Sequence, residues 1–337
     1  MKYPTFNKKN ITIGVFAPSS GIGDRIERFN IIKSELEKRG YKLKLTNSVM
    51  NDNVVSNLPK ERMNEFESLL KDEDVDVIFC ARGGEFAIEI APFLNFKLIK
   101  KYPKYVVGFS DSTIMTYLIM VGADVASITS YNFIDISRVL RHESFLNLLE
   151  MIDGKSVIQK KYDLYEENKN SDILALEKEN KYLSNRNKID VSGRVIGGTI
   201  DCLSDIIGMP YDKTWSFIDK YKDDGFIWYF DVFEMNSNDF YRTLLRMKHL
   251  HYFRNVKAVL MGKKRSYCEE RDISYSDSLV KIFGDIPIIE DVDIGHVYPI
   301  VSMINGAVAN INYNDGEFSI LFTMIEWREV KLSESKW

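Results

Sequence analysis

The sequence has 337 residues, and at about 150 residues per domain this length predicts two domains. Hydrophobic residues make up 45% and charged residues 28%, which is an ordinary composition for a globular protein. The 45 Lys and Arg residues against 49 Asp and Glu residues leave a formal net charge of -4, so no basic surplus indicates nucleic acid or an anionic membrane as a partner.

Targeting segments, membrane spans and metal sites are not predicted either. The N-terminal residues contain no apolar stretch of the secretory type, and the apolar run near Ile114–Val121 is far shorter than the ~20 residues of a membrane span. Cys80, Cys202 and Cys268 form no CxxC pattern, and none of the 4 histidines lies in an HExxH motif. We therefore expect a cytoplasmic protein with no disulfide framework, no metal and no cofactor.

The first half of the chain alternates segments of strand and helix type. Strands are predicted at Ile11–Ala17, Tyr41–Leu45, Val75–Cys80 and Tyr105–Gly108, and helices at Ile26–Arg39, Pro59–Leu70, Glu85–Leu94 and Asp111–Val121. This alternation predicts a mostly parallel sheet covered on both faces, and ligands of such sheets bind beyond the carboxyl ends of the strands. Gly83, Gly84 and Ser110 lie at such ends.

A change of composition separates the two halves. Residues 159–190 are dense in Lys, Glu and Asn and contain few apolar residues. The pattern favours a flexible surface linker, with a solvated helix in it, over a substrate lid. We therefore expect an N-terminal α/β domain at residues 1–158, a charged connection at 159–190 and a C-terminal domain at 191–337.

The second half mixes strands and helices. Strands are predicted at Val191–Ile196, Phe226–Val232, Lys257–Met261, Ile286–Glu290, Val301–Asn305, Val308–Tyr313 and Phe318–Phe322, and helices at Thr199–Ile207, Ser237–His249 and Ser276–Phe283. Ser237 is a candidate N-cap, and Asn314-Asp315-Gly316 predicts a hairpin turn. The fold class is α/β, with an N-terminal mostly parallel sheet of the flavodoxin or Rossmann type and a strand-rich C-terminal α/β domain.

The strongest local signal for chemistry is Gly108-Phe109-Ser110-Asp111, between a buried strand and a helix. A tight strand-to-helix turn lifts a serine hydroxyl above the sheet, and the N–H groups at the helix start can bind an oxyanion. The pattern departs from GxSxG because Ser112 occupies the place of the last glycine. Ser110 as a nucleophile therefore competes with Ser110 or Asp111 as a plain helix cap.

A serine nucleophile needs a base and an orienting carboxylate. His296 lies in an irregular loop between a glycine and a proline, where functional residues concentrate, although a plain loop histidine is an equal alternative. Asp231 ends an apolar strand, where an acid must be paired or hydrogen-bonded unless it caps a helix or loop. The order Ser110, Asp231, His296 matches the hydrolase order of nucleophile, acid and base. The other histidines are typical of surface or helix-terminal positions: His142, His249 and His251.

Arg82-Gly83-Gly84 is the second motif of site type. Two glycines after a strand let the backbone approach a ligand closely. Because GxGxxG and GK[ST] patterns are missing here, a nucleotide-phosphate cradle is weakly indicated, and an oxyanion or substrate-backbone role is favoured. Arg82 is a candidate for contacting a substrate carboxylate, with a structural ion pair as the alternative.

Together these motifs resemble the LD-carboxypeptidases of peptidase family S66, which include the microcin C7 self-immunity hydrolases. The segments that carry the resemblance are Ala81–Gly84, Gly108–Asp111, Gly193–Gly198 and Ile227–Asp231, followed by Gly295-His296. The resemblance covers nearly the whole chain. It implies no cofactor.

The resemblance also implies roles for individual residues. Ser110 would be the nucleophile, His296 the base and Asp231 the acid, and the backbone N–H groups of Gly84 and Asp111 would form the oxyanion hole. Substrate contacts are expected at Arg82, Gly83 and Glu85. The implied activity is removal of a terminal D-residue from small murein-derived peptides in the cytoplasm, by a homodimer.

Four positions depart from the family pattern. Asp231 stands where the family has Glu, Glu85-Phe86 replaces a common Tyr-Gly, and Thr199 replaces a common Asn. Two alternatives therefore stay open. One is a microcin-immunity-like hydrolase of aminoacyl- or peptidyl-nucleotide amides, which would need an aromatic platform such as a tyrosine in residues 159–190. The other is a peptide-binding relative without activity.

Overall fold

The predicted α/β fold class is confirmed by the computed structural model, which describes residues 1–4, 10–51, 53–167, 173–264 and 272–323. Cys268 lies outside these residues. The elements of the first part follow in chain order: β1 (Thr12–Phe16), α1 (Ile26–Lys38), β2 (Lys42–Leu45), α2 (Pro59–Lys71), β3 (Val77–Cys80), α3 (Phe96–Lys101), β4 (Tyr105–Gly108), α4 (Thr113–Leu118), β5 (Ser127–Thr129) and α5 (Glu143–Ile152). Helix α1 forms because Phe29, Ile32 and Leu36 recur at helical spacing and are buried.

The remaining elements belong to the middle and the second half. In chain order they are β6 (Ile158–Lys160), β7 (Leu164–Tyr165), β8 (Lys178–Glu179), β9 (Leu183–Ser184), β10 (Lys188–Thr199), α6 (Ile200–Ile206), α7 (Thr214–Lys220), β11 (Phe226–Asp231), α8 (Ser237–His249), β12 (Val256–Gly262), α9 (Tyr275–Phe283), β13 (Ile288–Val292), β14 (Met303–Asn305), β15 (Val308–Asn314) and β16 (Glu317–Thr323). The hairpin between β15 and β16 turns at Asp315 and Gly316, both with positive φ.

Two main sheets organise the described residues. The first has the order β14-β5-β4-β3-β1-β2, in which β1 to β5 are parallel and β14 is antiparallel to β5. The second has the order β6-β16-β15-β10-β11-β12-β13-β9, with a parallel centre from β10 to β13. Strand β14 comes from the C-terminal part of the chain but completes the N-terminal sheet. Ser110 follows β4, Asp231 is the last residue of β11, and His296 lies in the loop after β13. No helix within the described ranges combines the length and apolar character needed to cross a membrane.

Several predicted elements differ from the structure. The helix predicted at Glu85–Leu94 is a 3-10 helix at Ala87–Phe93, because Pro92 lacks the N–H that an α-helix needs. The helix predicted at Asp111–Val121 is divided into a 3-10 turn, α4 and a π-turn. The N-cap of α8 is Asn236, whose side chain accepts from the N–H of Asp239, and the prediction of Ser237 is wrong.

The connection at residues 159–190 also differs from the prediction. Its described residues contain short strands instead of a solvated helix. Tyr162 and Tyr182 are buried, and Glu166 forms a buried ion pair with Arg138 at 2.6 Å. This part is therefore anchored to the core. The prediction of a linker followed from the many charged residues of this segment, because only a few of its residues make the buried contacts.

Candidate active site

Ser110 lies in the turn between β4 and α4 and has a φ of +60°. A non-glycine residue in this left-handed region is strained, and such strain is typical of a serine held at a strand-to-helix elbow. Ser110 is half-buried and lines a cavity of about 470 Å³. The N-cap of α4 is Ser112, and it makes no side-chain cap bond. The alternative of Ser110 or Asp111 as the cap of this helix is therefore wrong.

Asn132 holds the elbow from the neighbouring loop. Its Oδ1 accepts from the N–H of Phe109 at 3.3 Å, and its Nδ2 donates to the carbonyl of Phe109 at 3.2 Å. The same Oδ1 accepts from the hydroxyl of Ser112 at 3.0 Å. Asn132 is buried and thus fixes the backbone on both sides of Ser110. The sequence analysis missed it, since no motif surrounds it.

Asp231 and His296 form a buried hydrogen-bonded pair. The Nδ1 of His296 lies 2.7 Å from Oδ2 of Asp231, and the backbone N–H of His296 donates to Oδ1 at 3.3 Å. The hydroxyl of Thr199 donates to Oδ2 at 3.0 Å. The side chains of Asp231 and His296 are only 2% and 11% exposed. This geometry assigns the proton to Nδ1 and leaves Nε2 as an acceptor.

The imidazole of His296 lies between two aromatic rings. Its centroid is 5.1 Å from that of Phe109 and 4.4 Å from that of Phe233. Phe233 is positioned because its N–H donates to Oδ2 of Asp201 at 3.0 Å. Sequence reasoning missed both Phe233 and Asp201, because their contacts join β11 to α6 in space.

The second ring nitrogen of His296, Nε2, is available to accept a proton. Nε2 is buried and has no hydrogen-bond partner among the described residues. His296 lines the same cavity as Ser110, although no hydrogen bond joins the two side chains. Hydrogen bonds of this kind often tighten only when substrate binds.

Gly83 and Gly84 lie in the loop after β3, which packs close to Ser110. A Cβ added to Gly83 would lie 3.1 Å from Oγ of Ser110, and one added to Gly84 would lie 2.3 Å from Oγ of Ser19. A side chain at Gly83 would thus press against Ser110, and one at Gly84 would displace Ser19 and meet a positive φ of +156°, which favours glycine at both positions. The loop also brings Arg82 and Glu85 to the cavity.

The carboxylates around the cavity are partly desolvated. Burial raises the pKa of Asp111, although its Oδ2 accepts from the N–H of Ala87 at 2.8 Å. The pKa of Glu85 is raised by burial and then by the charges of Asp111, Glu234 and Asp201. Negative charge thus accumulates on this side of the cavity.

A buried polar network holds the loop that carries His296. The carboxylate of Asp293 accepts from Nδ2 of Asn180 at 2.7 and 2.8 Å and from the hydroxyl of Tyr182 at 2.7 Å. It also pairs with Lys263, whose pKa is lowered by burial. Asp293 is fully buried and directed to these groups instead of His296. The network ties residues 180–182 to the His296 loop.

Within the described ranges, no three His, Cys, Asp or Glu side chains come together as a metal site. Cys80 and Cys202 are buried free thiols.

Comparisons with known proteins agree with the fold and the motifs. The family model described as the LD-carboxypeptidase N-terminal domain matches residues 13–130, and that of the LD-carboxypeptidase C-terminal domain matches residues 192–311. The microcin C7 self-immunity protein MccF of Escherichia coli is 25% identical over 304 residues, which are 85% of each chain. A Bacillus subtilis protein named "Probable murein peptide carboxypeptidase" is 30% identical over 113 residues, 33% of this chain and 35% of its own.

Solved structures share the fold over nearly the whole chain. An MccF-like protein from Bacillus anthracis has a TM-score of 0.81 at 19% identity, covering 96% of this chain and 100% of its own. MccF in complex with glutamyl sulfamoyl guanosine has a TM-score of 0.77 at 20% identity, covering 94% of this chain and 97% of its own. At these identities the likeness establishes the fold.

Proposed function

The chain belongs to the LD-carboxypeptidase family, whose two domain models match residues 13–130 and 192–311, and from this premise we propose that it is a serine-type amide hydrolase. Its substrate is a small murein-derived peptide, from which it releases a terminal D-amino acid. One observation carries the proposal: the Nε2 of His296 is buried and unbonded in the cavity of Ser110, while Asp231 holds Nδ1.

The reaction follows the serine-hydrolase sequence. Nε2 of His296 takes the proton of Ser110 as Oγ attacks the carbonyl carbon of the scissile amide. The carboxylate of Asp231 stabilises the imidazolium that forms. His296 then gives the proton to the leaving amine, and water attacks the acyl-enzyme with His296 again as the base.

Backbone N–H groups of Gly84 and Asp111 stabilise the oxyanion in this proposal. Asp111 follows Ser110 directly in the chain. Gly84 follows Gly83, at which an added Cβ would lie 3.1 Å from Oγ of Ser110, and both Gly83 and Gly84 line the same cavity as Ser110. N–H groups fixed in this way stabilise developing negative charge without reorganisation. Arg82, Gly83 and Glu85 would contact the peptide from the cavity wall.

A second candidate function is hydrolysis of an aminoacyl- or peptidyl-nucleotide amide. It is favoured by the match to MccF over 85% of both chains. This substrate needs an aromatic side chain on which its base can stack, and the tyrosines of residues 159–190 are mostly buried. Tyr162 and Tyr182 are each only 4% exposed, which leaves Tyr165 as the half-buried tyrosine of this segment. We therefore keep the peptide as the leading substrate.

Product analysis separates the candidates. The protein is incubated with a murein tetrapeptide and, separately, with an aminoacyl-sulfamoyl adenosine, with Ser110→Ala as the control. Release of the D-residue supports the leading function, and cleavage of the adenosine conjugate alone would support the second.

A third possibility, a binding protein without activity, is tested by covalent labelling. A serine-directed fluorophosphonate should label the wild type and spare Ser110→Ala. Lack of both labelling and turnover would contradict a hydrolase. A cytoplasmic homodimer is carried over from the family, and light scattering of the purified chain tests the dimer.

A further inference from the structure

Two arginines outside the sequence motifs line the cavity of Ser110 and His296. Arg25 precedes α1 directly, and Arg28 lies in the first turn of this helix. Both side chains are half-buried. Neither contributes to the elbow, to the Asp231–His296 pair or to the glycine loop, so the mechanism above leaves them without a role.

Arg25 and Arg28 are close enough for their positive charges to influence each other. Burial lowers the pKa of Arg28, and the charge of Arg25 lowers it further, whereas Asp135 raises it. Among the described residues, the lining contains three arginines, with Arg82 as the third, against the carboxylates of Asp135 and Glu85. Like charges held together in a partly buried wall are stabilised when an anion binds between them.

Arg28 and Glu85 have different charged surroundings. Besides burial, the charges that shift the pKa of Arg28 are those of Arg25, Asp135, Arg138 and Asp24, whereas the pKa of Glu85 is raised by the carboxylates of Asp111, Glu234 and Asp201. An anionic group of the substrate is therefore attracted by the arginines of the cavity wall and repelled by Glu85.

We propose that Arg25 and Arg28, in the wall of the cavity that Ser110 and His296 line, form a subsite for an anionic oxygen group of the substrate. This inference rests on the proposed function, because it concerns the substrate of the same cavity. Guanidinium groups bind the paired oxygens of a carboxylate or phosphate in a fork geometry. In a peptide the group is the carboxylate of the terminal D-residue, and in a nucleotide conjugate it is a phosphate.

The test compares a murein tetrapeptide with its C-terminal amide. Arg25→Gln and Arg28→Gln remove the charge, Arg28→Lys keeps it without the fork, and Arg39→Gln at the other end of α1 is the matched control. The ratio of kcat/KM for the acid over the amide should fall about 10- to 100-fold in the Gln variants. It should fall less in Arg28→Lys and stay unchanged in Arg39→Gln. An unchanged ratio in both Gln variants, or equal losses for acid and amide, would overturn the subsite.

Binding without turnover separates failure of the subsite from failure of the function. If the wild type cleaves neither peptide, the proposed peptidase function fails. Calorimetric titration of Ser110→Ala with the acid, the amide and AMP then tests the subsite alone. The subsite is supported if adding Arg25→Gln to Ser110→Ala weakens the binding of the acid or of AMP by at least ~10-fold. The ligand whose binding is weakened then identifies the anion. Unaltered binding, or no binding of any ligand, overturns it.

Discussion

Gly295 lies so close to the carboxylate of Asp231 that no side chain fits between them. A Cβ added at residue 295 would lie 1.7 Å from Oδ1 of Asp231, and the φ of Gly295 is +91°. The loop backbone therefore reaches the carboxylate, and the N–H of His296 donates to it at 3.3 Å. An aspartate is one methylene shorter than the glutamate expected from the family. Gly295 lets the loop backbone reach this shorter side chain, because a glycine places no Cβ against the carboxylate.

Gly295→Ala should separate the loop from Asp231. Displacement of the base by about 1 Å can cost ~100-fold in rate, so we expect a loss of this order in kcat. The matched control is Gly208→Ala, because Gly208 has a similar φ of +81° with nothing within 4 Å of an added Cβ. Both variants carry backbone strain of about 1–3 kcal/mol. Equal activity of the two would show that the contact with Asp231 is unimportant for turnover.

Ser110→Ala should abolish hydrolysis with little change in stability. The side chain is half-buried at the cavity and fills no core position, so its hydroxyl can be removed without a packing defect. We expect kcat to fall by at least ~10⁴-fold, as in other serine triads. Turnover is measured by product release and stability by thermal unfolding. Near-wild-type turnover would remove Ser110 from the mechanism.

Much of the fold followed from local sequence patterns, and the family membership followed from short motifs. The strand β4 and the helix α8 have the predicted bounds, since periodicity and turn residues are local signals. Asp231 and His296 are 65 positions apart, so no local pattern could pair them. Their pairing was predicted from the order of the three residues in the chain and from the family resemblance. Asn132 and Phe233 could not be found in this way, since only the sheet topology brings them to the site.

His142 should make stability depend on pH. Its Nδ1 accepts from the N–H of Ser144 at 3.1 Å and caps α5, and burial lowers its pKa. The unfolded chain therefore binds a proton more readily than the folded protein between the lowered pKa and about 6.5. The contribution of His142 is present above this window and is lost as pH falls through it.

Replacement of His142 by Asn keeps a cap that does not titrate. Urea unfolding at several pH values between 5 and 7.5 should show the wild type losing about 1 kcal/mol relative to His142→Asn as pH falls. His249→Asn, at an exposed position in α8, is the control. Parallel stability curves for wild type and His142→Asn would contradict the capping argument.

Lys263→Met should destabilise the protein more than loss of an exposed ion pair. Removal of Lys263 leaves the fully buried carboxylate of Asp293 without its cation, at a cost of about 3–5 kcal/mol. Lys178→Met breaks an exposed pair with Glu167 and should change the stability much less. Denaturant unfolding measures both. Equal effects would show that the Lys263–Asp293 pair does not anchor the His296 loop.

Two substitutions at Asp231 test the acid of the proposed triad. Asp231→Asn keeps the shape of the side chain, but its amide can donate to Nδ1 of His296 and so favour the tautomer with the proton on Nε2. By analogy with other serine triads, we expect a loss of several thousandfold in kcat with the fold retained.

Asp231→Glu should behave differently, because it keeps the charge but adds a methylene where the backbone of Gly295 already touches the carboxylate. Overpacking of this kind costs about 1–3 kcal/mol, which moves the loop without removing the hydrogen bond to His296. We therefore expect reduced but measurable turnover and a lower melting temperature in Asp231→Glu, against unchanged melting and almost no turnover in Asp231→Asn. The pair of variants separates charge from shape, with kcat and thermal unfolding as the measurements. If Asp231→Asn turns over like the wild type, Asp231 is only a structural partner of Thr199 and the His296 loop, and the base of Ser110 acts without it.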